Sequence, residues 1–120
     1  MKILAFESSC DETAVAVVED GRKILSDAIA SQADLHALYG GVVPEIASRK
    51  HIEAIAALTE QALKEASVQK SDIDAVAATY APGLIGAVLV GVNFAKSAAA
   101  ALGIPVSYTH LRAHETAANL

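Results

Sequence analysis

The feature that most constrains the fold is an Asp-Gly pair, Asp20-Gly21, which stands between two short apolar runs. Asp-Gly favours the left-handed backbone of the tight turns that join antiparallel strands. The two runs, Ala14 to Val18 and Lys23 to Ser31, are therefore predicted to form a β-hairpin. Another short apolar run, Lys2 to Phe6, precedes them and predicts a buried strand. We therefore expect the chain to begin with three strands.

Beyond this hairpin the apolar residues recur with a helical period. Helices are predicted over Pro44 to Ala66 and over Leu84 to Leu102, where Gly103 ends the second helix. Strands are predicted over 75–79 and 106–109. The resulting order, β-β-β-α-β-α-β, indicates an α/β fold with a mixed sheet, because the helical crossovers require parallel pairing.

The two helices are expected to be buried differently. The first is predicted to bury a stripe at i, i+3, i+4 and i+7 spacing and to leave Arg49 and His51 on a solvated face. That stripe consists of Ile52, Ile55, Ala56, Thr59, Ala62 and Leu63. The second helix is apolar nearly all round as far as Lys96, so we expect it to be central.

Composition excludes several classes of protein. With 53% hydrophobic residues among 120, global disorder is excluded, and a net charge of −5 argues against a generally basic surface for nucleic acid. A single cysteine, Cys10, excludes an intramolecular disulfide and a Cys-cluster zinc site. The stretch between Asp74 and Lys96 carries no charge, but Pro82-Gly83 interrupts it, so we predict a cytoplasmic protein with no membrane span.

The polar cluster Glu7 to Thr13 is the first candidate site. Its adjacent carboxylates, Asp11 and Glu12, are suited to binding a metal or acting as a base. The hydroxyls of Ser8, Ser9 and Thr13, with the amides of a tight turn, are suited to holding phosphate oxygens. The alternative is an ordinary polar turn, since turns are commonly rich in Ser and Asp.

Two further segments are candidate binding loops. Ala81 to Gly86 joins a strand to a helix N-terminus, which favours anions, and Gly83 permits close approach. The alternative explanation for Gly83 is tight packing of the helix against the sheet. The loop Gln32 to Gly41 contains His36, and long loops in compact domains are often functional; a plain surface loop is the alternative.

The last candidate is a histidine pair near the C-terminus. His110 and His114 have the i, i+4 spacing that lets one helix face chelate a metal. No third ligand is evident in the sequence, so a chance pairing is equally compatible.

Three segments, in this order, resemble motifs of one known family. They are Phe6 to Thr13, Leu35 to His51 and Asp72 to Gly86. They are similar to motifs of the TsaD family, the tRNA N6-adenosine threonylcarbamoyltransferases. The resemblance covers roughly residues 1–105. It implies an N-terminal fragment: one lobe of the actin-like, Hsp70-like and sugar-kinase-like (RNase H-like) fold.

The resemblance also implies a reaction, which is transfer of threonylcarbamoyl from threonylcarbamoyl-adenylate to N6 of the adenosine next to the anticodon of tRNAs that read ANN codons. It implies catalytic roles for Asp11 and Glu12 and substrate binding by Ser9, His36 and Gly83. It further implies one divalent metal, iron or zinc, whose third ligand is an Asp outside this fragment. The implied partners are a non-catalytic paralogue subunit and an ATPase subunit.

The C-terminal segment departs from the family pattern. The family's metal motif, His-x-Glu-Gly-His, is expected six residues after Pro105, whereas His110 follows it by five and Arg112-Ala113 replaces Glu-Gly. A shift of one residue turns strand side chains to the opposite face. We therefore predict a lobe over 1–106 and a foreign or frameshifted tail over 107–120, in which the His pair mimics the motif by chance. The alternative is that His110 and His114 are metal ligands in a shifted register.

Two expectations about activity follow. The intact protein is predicted to be an acyltransferase, and the fragment alone is predicted to be inactive. The alternative is a non-catalytic scaffold subunit, like the paralogue, of the same tRNA modification complex.

Overall fold

The computed structural model describes residues 1–10, 12–31 and 44–110. The predicted site residues Asp11, His36 and His114 lie outside these ranges. The described elements are β1 (Lys2–Glu7), β2 (Glu12–Glu19), β3 (Lys23–Ser31), α1 (Pro44–Ala66), a 3-10 turn (Lys70–Asp72), β4 (Ala75–Ala81), α2 (Ile85–Leu102) and β5 (Val106–His110). This order confirms the predicted β-β-β-α-β-α-β succession.

The strands form one mixed sheet in the spatial order β3-β2-β1-β4-β5. The pairs β1–β2 and β2–β3 are antiparallel, while β1–β4 and β4–β5 are parallel across the helical crossovers. In the predicted hairpin, Asp20 and Gly21 adopt φ values of 56° and 69°. Both lie in the left-handed region, as the Asp-Gly pair predicted.

The core lies between one face of the sheet and the two helices. Alternate strand residues point to it, as the period of two requires: Leu4 and Phe6 from β1 meet Val15 and Val17 from β2. The ring of Phe6 packs edge-on against Phe94 of α2, with centroids 5.3 Å apart. Small and branched side chains fill the rest: Ala28, Ile55, Leu58, Ala62, Leu63, Ile73, Val76, Ala78, Ala95 and Ala99.

The buried stripe of α1 differs in phase from the predicted one. Ile52 is 64% exposed, Ala56 is also exposed, and His51, expected on the solvated face, is fully buried. The stripe that faces the sheet consists of His51, Ile55, Leu58, Thr59, Ala62 and Leu63. The prediction was wrong because it assigned the polar His51 to solvent, although a histidine whose ring nitrogens are both bonded can be buried.

The prediction that α2 is central was also wrong. Its inward side is buried, but Ile85 is 83% exposed and Leu89 is 50% exposed. A helix that lies on one face of a sheet buries only the side turned toward that sheet and its neighbouring helix, whatever its composition. By length and mean hydropathy α2 could cross a membrane, a test that core helices of soluble proteins also pass.

The end of α2 confirms its predicted stop signal. Gly103 adopts φ 67° and ψ 35°, the left-handed conformation that favours glycine after a helix. Its amide donates to the carbonyl of Ala100, and the amide of Ile104 donates to that of Ala99. These bonds satisfy carbonyls of the last turn and direct the chain into β5.

Candidate active-site loop

The connection between β1 and β2 is shorter than the polar cluster in the sequence suggests. β1 runs through Glu7 and β2 begins at Glu12, which leaves residues 8–11 as the β1–β2 loop. Three described loop residues, Ser8, Ser9 and Cys10, are each tied to another element. Because β1 pairs in parallel with β4, both strands end at the same edge of the sheet, and this loop lies beside the turn that joins β4 to α2.

Ser8 joins the loop to the backbone of α2. Its side chain is only 1% exposed, and its hydroxyl donates to the carbonyl of Ala87 at 2.6 Å. The same oxygen accepts from the amide of Gly91 at 3.0 Å. The hydroxyl thus bridges a carbonyl and an amide one helical turn apart. A Cβ atom at Gly91 would lie 2.6 Å from this oxygen, so the contact requires glycine there.

Ser9 joins the loop to the β4–α2 turn. Its amide donates to the Glu7 carboxylate at 2.6 Å, and its carbonyl accepts from the amide of Leu84 at 2.8 Å. A Cβ atom at Gly83 would lie 2.6 Å from the Ser9 carbonyl oxygen. The amide of Leu84, the N-cap residue of α2, is therefore bonded within the protein, and Gly83 allows the two loops to touch.

His51 joins the loop to α1. The ring is fully buried, with Nε2 2.8 Å from the carbonyl oxygen of Cys10 and Nδ1 2.6 Å from the hydroxyl of Thr13. A carbonyl only accepts, so Nε2 carries the proton that is shared with Cys10. In the neutral ring, Nδ1 then accepts from Thr13. One imidazole therefore connects α1 with the β1–β2 loop and with the start of β2.

The structure brings some predicted site residues together. Ser9 and Gly83, predicted from separate motifs, are in direct contact. Glu12 is exposed at the start of β2, where its backbone pairs with Ser31. The backbone of His110, the last residue of β5, pairs with Ala81, beside the β4–α2 turn. Within 1–10, 12–31 and 44–110, no three His, Cys, Asp or Glu side chains are grouped to hold a metal.

Sequence reasoning missed Gly91 and assigned His51 to the wrong face of α1. His51 lies four residues before Ile55 and seven before Leu58, so including it in the apolar stripe would have given the correct phase. Gly91 lies inside an otherwise alanine-rich helix, where glycine costs about 1 kcal/mol relative to alanine and often marks a close approach. The sequence predicts phosphate binding by the Ser8 hydroxyl, whereas in the structure that hydroxyl is bonded to α2.

A mixed five-stranded sheet with two helices and a polar loop after its first strand defines one lobe of the actin-like class of α/β proteins. A solved structure of the same architecture is YeaZ from Pseudomonas aeruginosa. It matches with a TM-score of 0.70 and 25% identity, over 91% of this chain and 43% of YeaZ.

Sequence comparison identifies the family. The sequence model of the tRNA N6-adenosine threonylcarbamoyltransferase family, TsaD, matches residues 23–120. The transferase of that name from Clostridium novyi is 59% identical over 118 residues, and that from Syntrophotalea carbinolica is 56% identical over 115. The chain belongs to the TsaD family.

The match covers the chain almost completely and its relatives only in part. The alignment with the Clostridium novyi protein takes in 98% of this chain and 35% of that protein. For the Syntrophotalea carbinolica protein the shares are 95% and 34%. The chain thus spans about a third of the length of the curated relatives it matches.

Proposed function

We propose that this lobe belongs to an enzyme that transfers threonylcarbamoyl from threonylcarbamoyl-adenylate to N6 of the adenosine next to the anticodon in tRNAs that read ANN codons. In that reaction the N6 amine attacks the carbamoyl carbonyl, a C–N bond forms, the C–O bond to phosphate breaks, and AMP leaves. The observation that carries the proposal is 54 to 59% identity to curated relatives of that name.

Asp11 is the proposed catalytic carboxylate, with Glu12 beside it. A carboxylate near the amine either orients it for attack or accepts the proton that leaves as the new bond forms. Ser9, His36 and Gly83 are the proposed substrate-binding residues. Support comes from the residues next to Asp11, since Ser8, Ser9 and Cys10 are all fixed by hydrogen bonds to other elements.

A divalent iron or zinc ion is part of the proposal. If residues 107–120 are native, His110 and His114 would hold it, in a shifted register, together with an Asp from the portion of the relatives that this chain does not span. Imidazole nitrogens are suitable ligands for both metals, and the backbone of His110 lies beside Ala81. When bound, the ion would polarise the carbamoyl carbonyl.

The proposal extends to partners and location. The substrates are tRNA and threonylcarbamoyl-adenylate, and the proposed protein partners are a non-catalytic paralogue and an ATPase. We propose a cytoplasmic location with no membrane association. The scaffold alternative is less well supported than the transferase, because the relatives at 54 to 59% identity bear the transferase name.

The test is transfer by the full-length enzyme that contains this lobe. We expect Asp11→Ala to abolish modification of tRNA while the variant still folds. Asp27→Ala is the matched control, because Asp27 is an exposed carboxylate on β3, away from the β1–β2 loop. Wild-type modification by Asp11→Ala would contradict the catalytic role, and a wild-type enzyme without transfer would contradict the function.

The chain of 120 residues offers a second test. We expect it to show no transfer and at most weak metal binding, because the proposed third ligand is outside it. Stoichiometric iron or zinc in the purified chain, measured by elemental analysis, would contradict the prediction that residues 107–120 are foreign. The DNA reading frame beyond the codon for Val106 tests that prediction directly.

A further inference from the structure

We propose that His51 is a positioning residue for Asp11: its buried imidazole fixes the peptide group that leads into the catalytic carboxylate. The inference rests on the proposed function for its catalytic consequence. The geometric part, which concerns how the β1–β2 loop is held, stands on the described residues alone.

His51 is bonded to the carbonyl of the residue that precedes Asp11. Nε2 is 2.8 Å from the carbonyl oxygen of Cys10. This carbonyl belongs to the peptide group that links Cys10 to Asp11, and a peptide group is planar. A bond to its oxygen therefore restricts the backbone at the point where the catalytic residue begins.

The His51 ring is itself oriented by a second hydrogen bond. Nδ1 lies 2.6 Å from the Thr13 hydroxyl, and the side chains of His51 and Thr13 are both fully buried. Thr13 is the second residue of β2, so its position is set by the sheet. The ring is thereby held between a fixed strand residue and the loop, and it contacts the chain one residue before and two residues after Asp11.

His51 differs from the other buried polar groups near α1 in the kind of backbone that it contacts. The Thr59 hydroxyl donates to the Ile55 carbonyl within its own helix, and the Ser26 hydroxyl donates to the Ala62 carbonyl. Those bonds connect regular elements whose backbone is already fixed by helix and sheet bonds. The bond from His51 reaches a loop carbonyl instead, so it determines loop geometry in addition to stability.

The test separates the two ring nitrogens. In His51→Gln the side-chain amide reaches the Nε2 position and can donate to Cys10, whereas in His51→Asn it reaches only the Nδ1 position and the contact with Thr13. Each variant keeps one of the two bonds. In the full-length transferase we expect His51→Asn to lower kcat about 100-fold, the scale of a small misplacement of a catalytic group, with the KM for tRNA unchanged. We expect His51→Gln to retain most of kcat.

Ser26→Ala is the matched control for stability. Ser26 is 8% exposed and its bond to α1 is also buried, but it lies away from the loop. We expect a lower free energy of unfolding with kcat unchanged. If His51→Asn and His51→Gln lose kcat equally, or if kcat follows stability across all three variants, His51 is merely structural and the inference is wrong.

Nuclear magnetic resonance on the 120-residue chain provides a second measurement that does not depend on activity. We expect the His51 ring, assigned by its absence from His51→Gln, to carry its proton on Nε2. The amides of Cys10 and Glu12 should become mobile in His51→Asn and stay ordered in His51→Gln. A proton on Nδ1 alone, or loop amides that are equally ordered in both variants, would overturn the inference. A wild-type enzyme without transfer would contradict the proposed function, and the resonance measurement would then decide the positioning role.

Discussion

The two ends of β1 are both tied to the rest of the molecule by polar contacts, but in different surroundings. At the amino end, the Met1 ammonium pairs with the Asp20 carboxylate at 2.7 Å, and the Lys2 amide donates to the Asp74 carboxylate at 2.8 Å. Both contacts are exposed. At the carboxyl end, Ser8 and the carbonyl of Cys10 are bound to α2 and α1 by buried or partly buried hydrogen bonds.

The comparison shows that burial, rather than the number of contacts, decides how firmly a polar group is placed. An exposed group that loses its partner bonds to water, so the net cost is small. A buried group that loses its partner bears the full cost of desolvation, about 1 to 3 kcal/mol. The amino end of β1 can therefore tolerate substitution, whereas the carboxyl end has essentially one arrangement.

The largest effect is expected where a rigid backbone atom is in the way. In Gly83→Ala the new Cβ would lie 2.6 Å from the Ser9 carbonyl oxygen and 2.7 Å from Val88 Cγ2. We expect the free energy of unfolding, measured in urea, to fall by about 3 kcal/mol. A change of less than about 0.5 kcal/mol, the range of surface substitutions, would show that the loops are not packed as described.

A smaller effect is expected for Gly91→Ala. The Cβ displaces the Ser8 hydroxyl and breaks its two buried bonds, but alanine restores about 1 kcal/mol of helix propensity. We expect a net loss of about 1 to 2 kcal/mol in urea unfolding. Adding Ser8→Ala removes the obstructing hydroxyl, so the double variant should be more stable than Gly91→Ala alone. A double variant that is less stable would contradict the bridging role of Ser8.

At the amino end, Asp74→Ala is expected to cost only about 0.5 kcal/mol. It removes an exposed bond to the Lys2 amide, which water can replace. The backbone bond from the Asp74 amide to the Lys2 carbonyl remains. Urea unfolding measures this loss in the free energy of unfolding. A loss as large as that of Gly83→Ala would show that the two ends of β1 do not differ in their tolerance of substitution.

The smallest effect concerns pH. The hydrogen bond from the Met1 ammonium lowers the pKa of Asp20, and the same bond raises the pKa of the ammonium. The lowered carboxyl pKa adds to the free energy of unfolding at pH values above its ordinary value of 3.8. This contribution is lost as the pH falls through the pKa of the folded state. The raised pKa of the ammonium adds to the free energy of unfolding below pH 8.0, and this contribution is lost as the pH rises through the pKa of the folded state.

Asp20→Asn is the variant that tests this pair. We expect its urea midpoint to be slightly below that of the wild type at pH 6, and the difference to vanish in acid, where Asp20 is protonated. Since both groups are exposed, 1 M salt should also remove the difference. A difference that persists in acid and in high salt would show that the pair is not electrostatic.

Much of the fold could be predicted because its signals are local. The Asp20-Gly21 turn, the order of strands and helices and the stop at Gly103 each depend on a few adjacent residues, and the structure confirms them. The buried face of α1 was misjudged because burial of His51 depends on acceptors and donors 38 and 41 residues away. No local pattern reports such partners.

The candidate site was predictable in outline for a similar reason. Ser9 and Gly83 were each singled out by chemistry at a strand end, and the contact between them follows from parallel pairing of β1 with β4. The hydrogen bonds between Ser8 and α2 form because Gly91 has no Cβ atom, which leaves room for the Ser8 hydroxyl. Such a fit becomes visible only in three dimensions.

The bridge between Ser8 and α2 also bears on how the protein is made. Ser8 bonds to residues 79 and 83 positions later, and Cys10 bonds to one 41 positions later. Ribosomes add roughly 5 to 20 residues per second, so the strand hairpin is complete seconds before these partners emerge. The β1–β2 loop therefore cannot complete its bonds to α2 until Gly91 has been synthesised, and a chain whose synthesis stops before Gly91 lacks these bonds as well as β5.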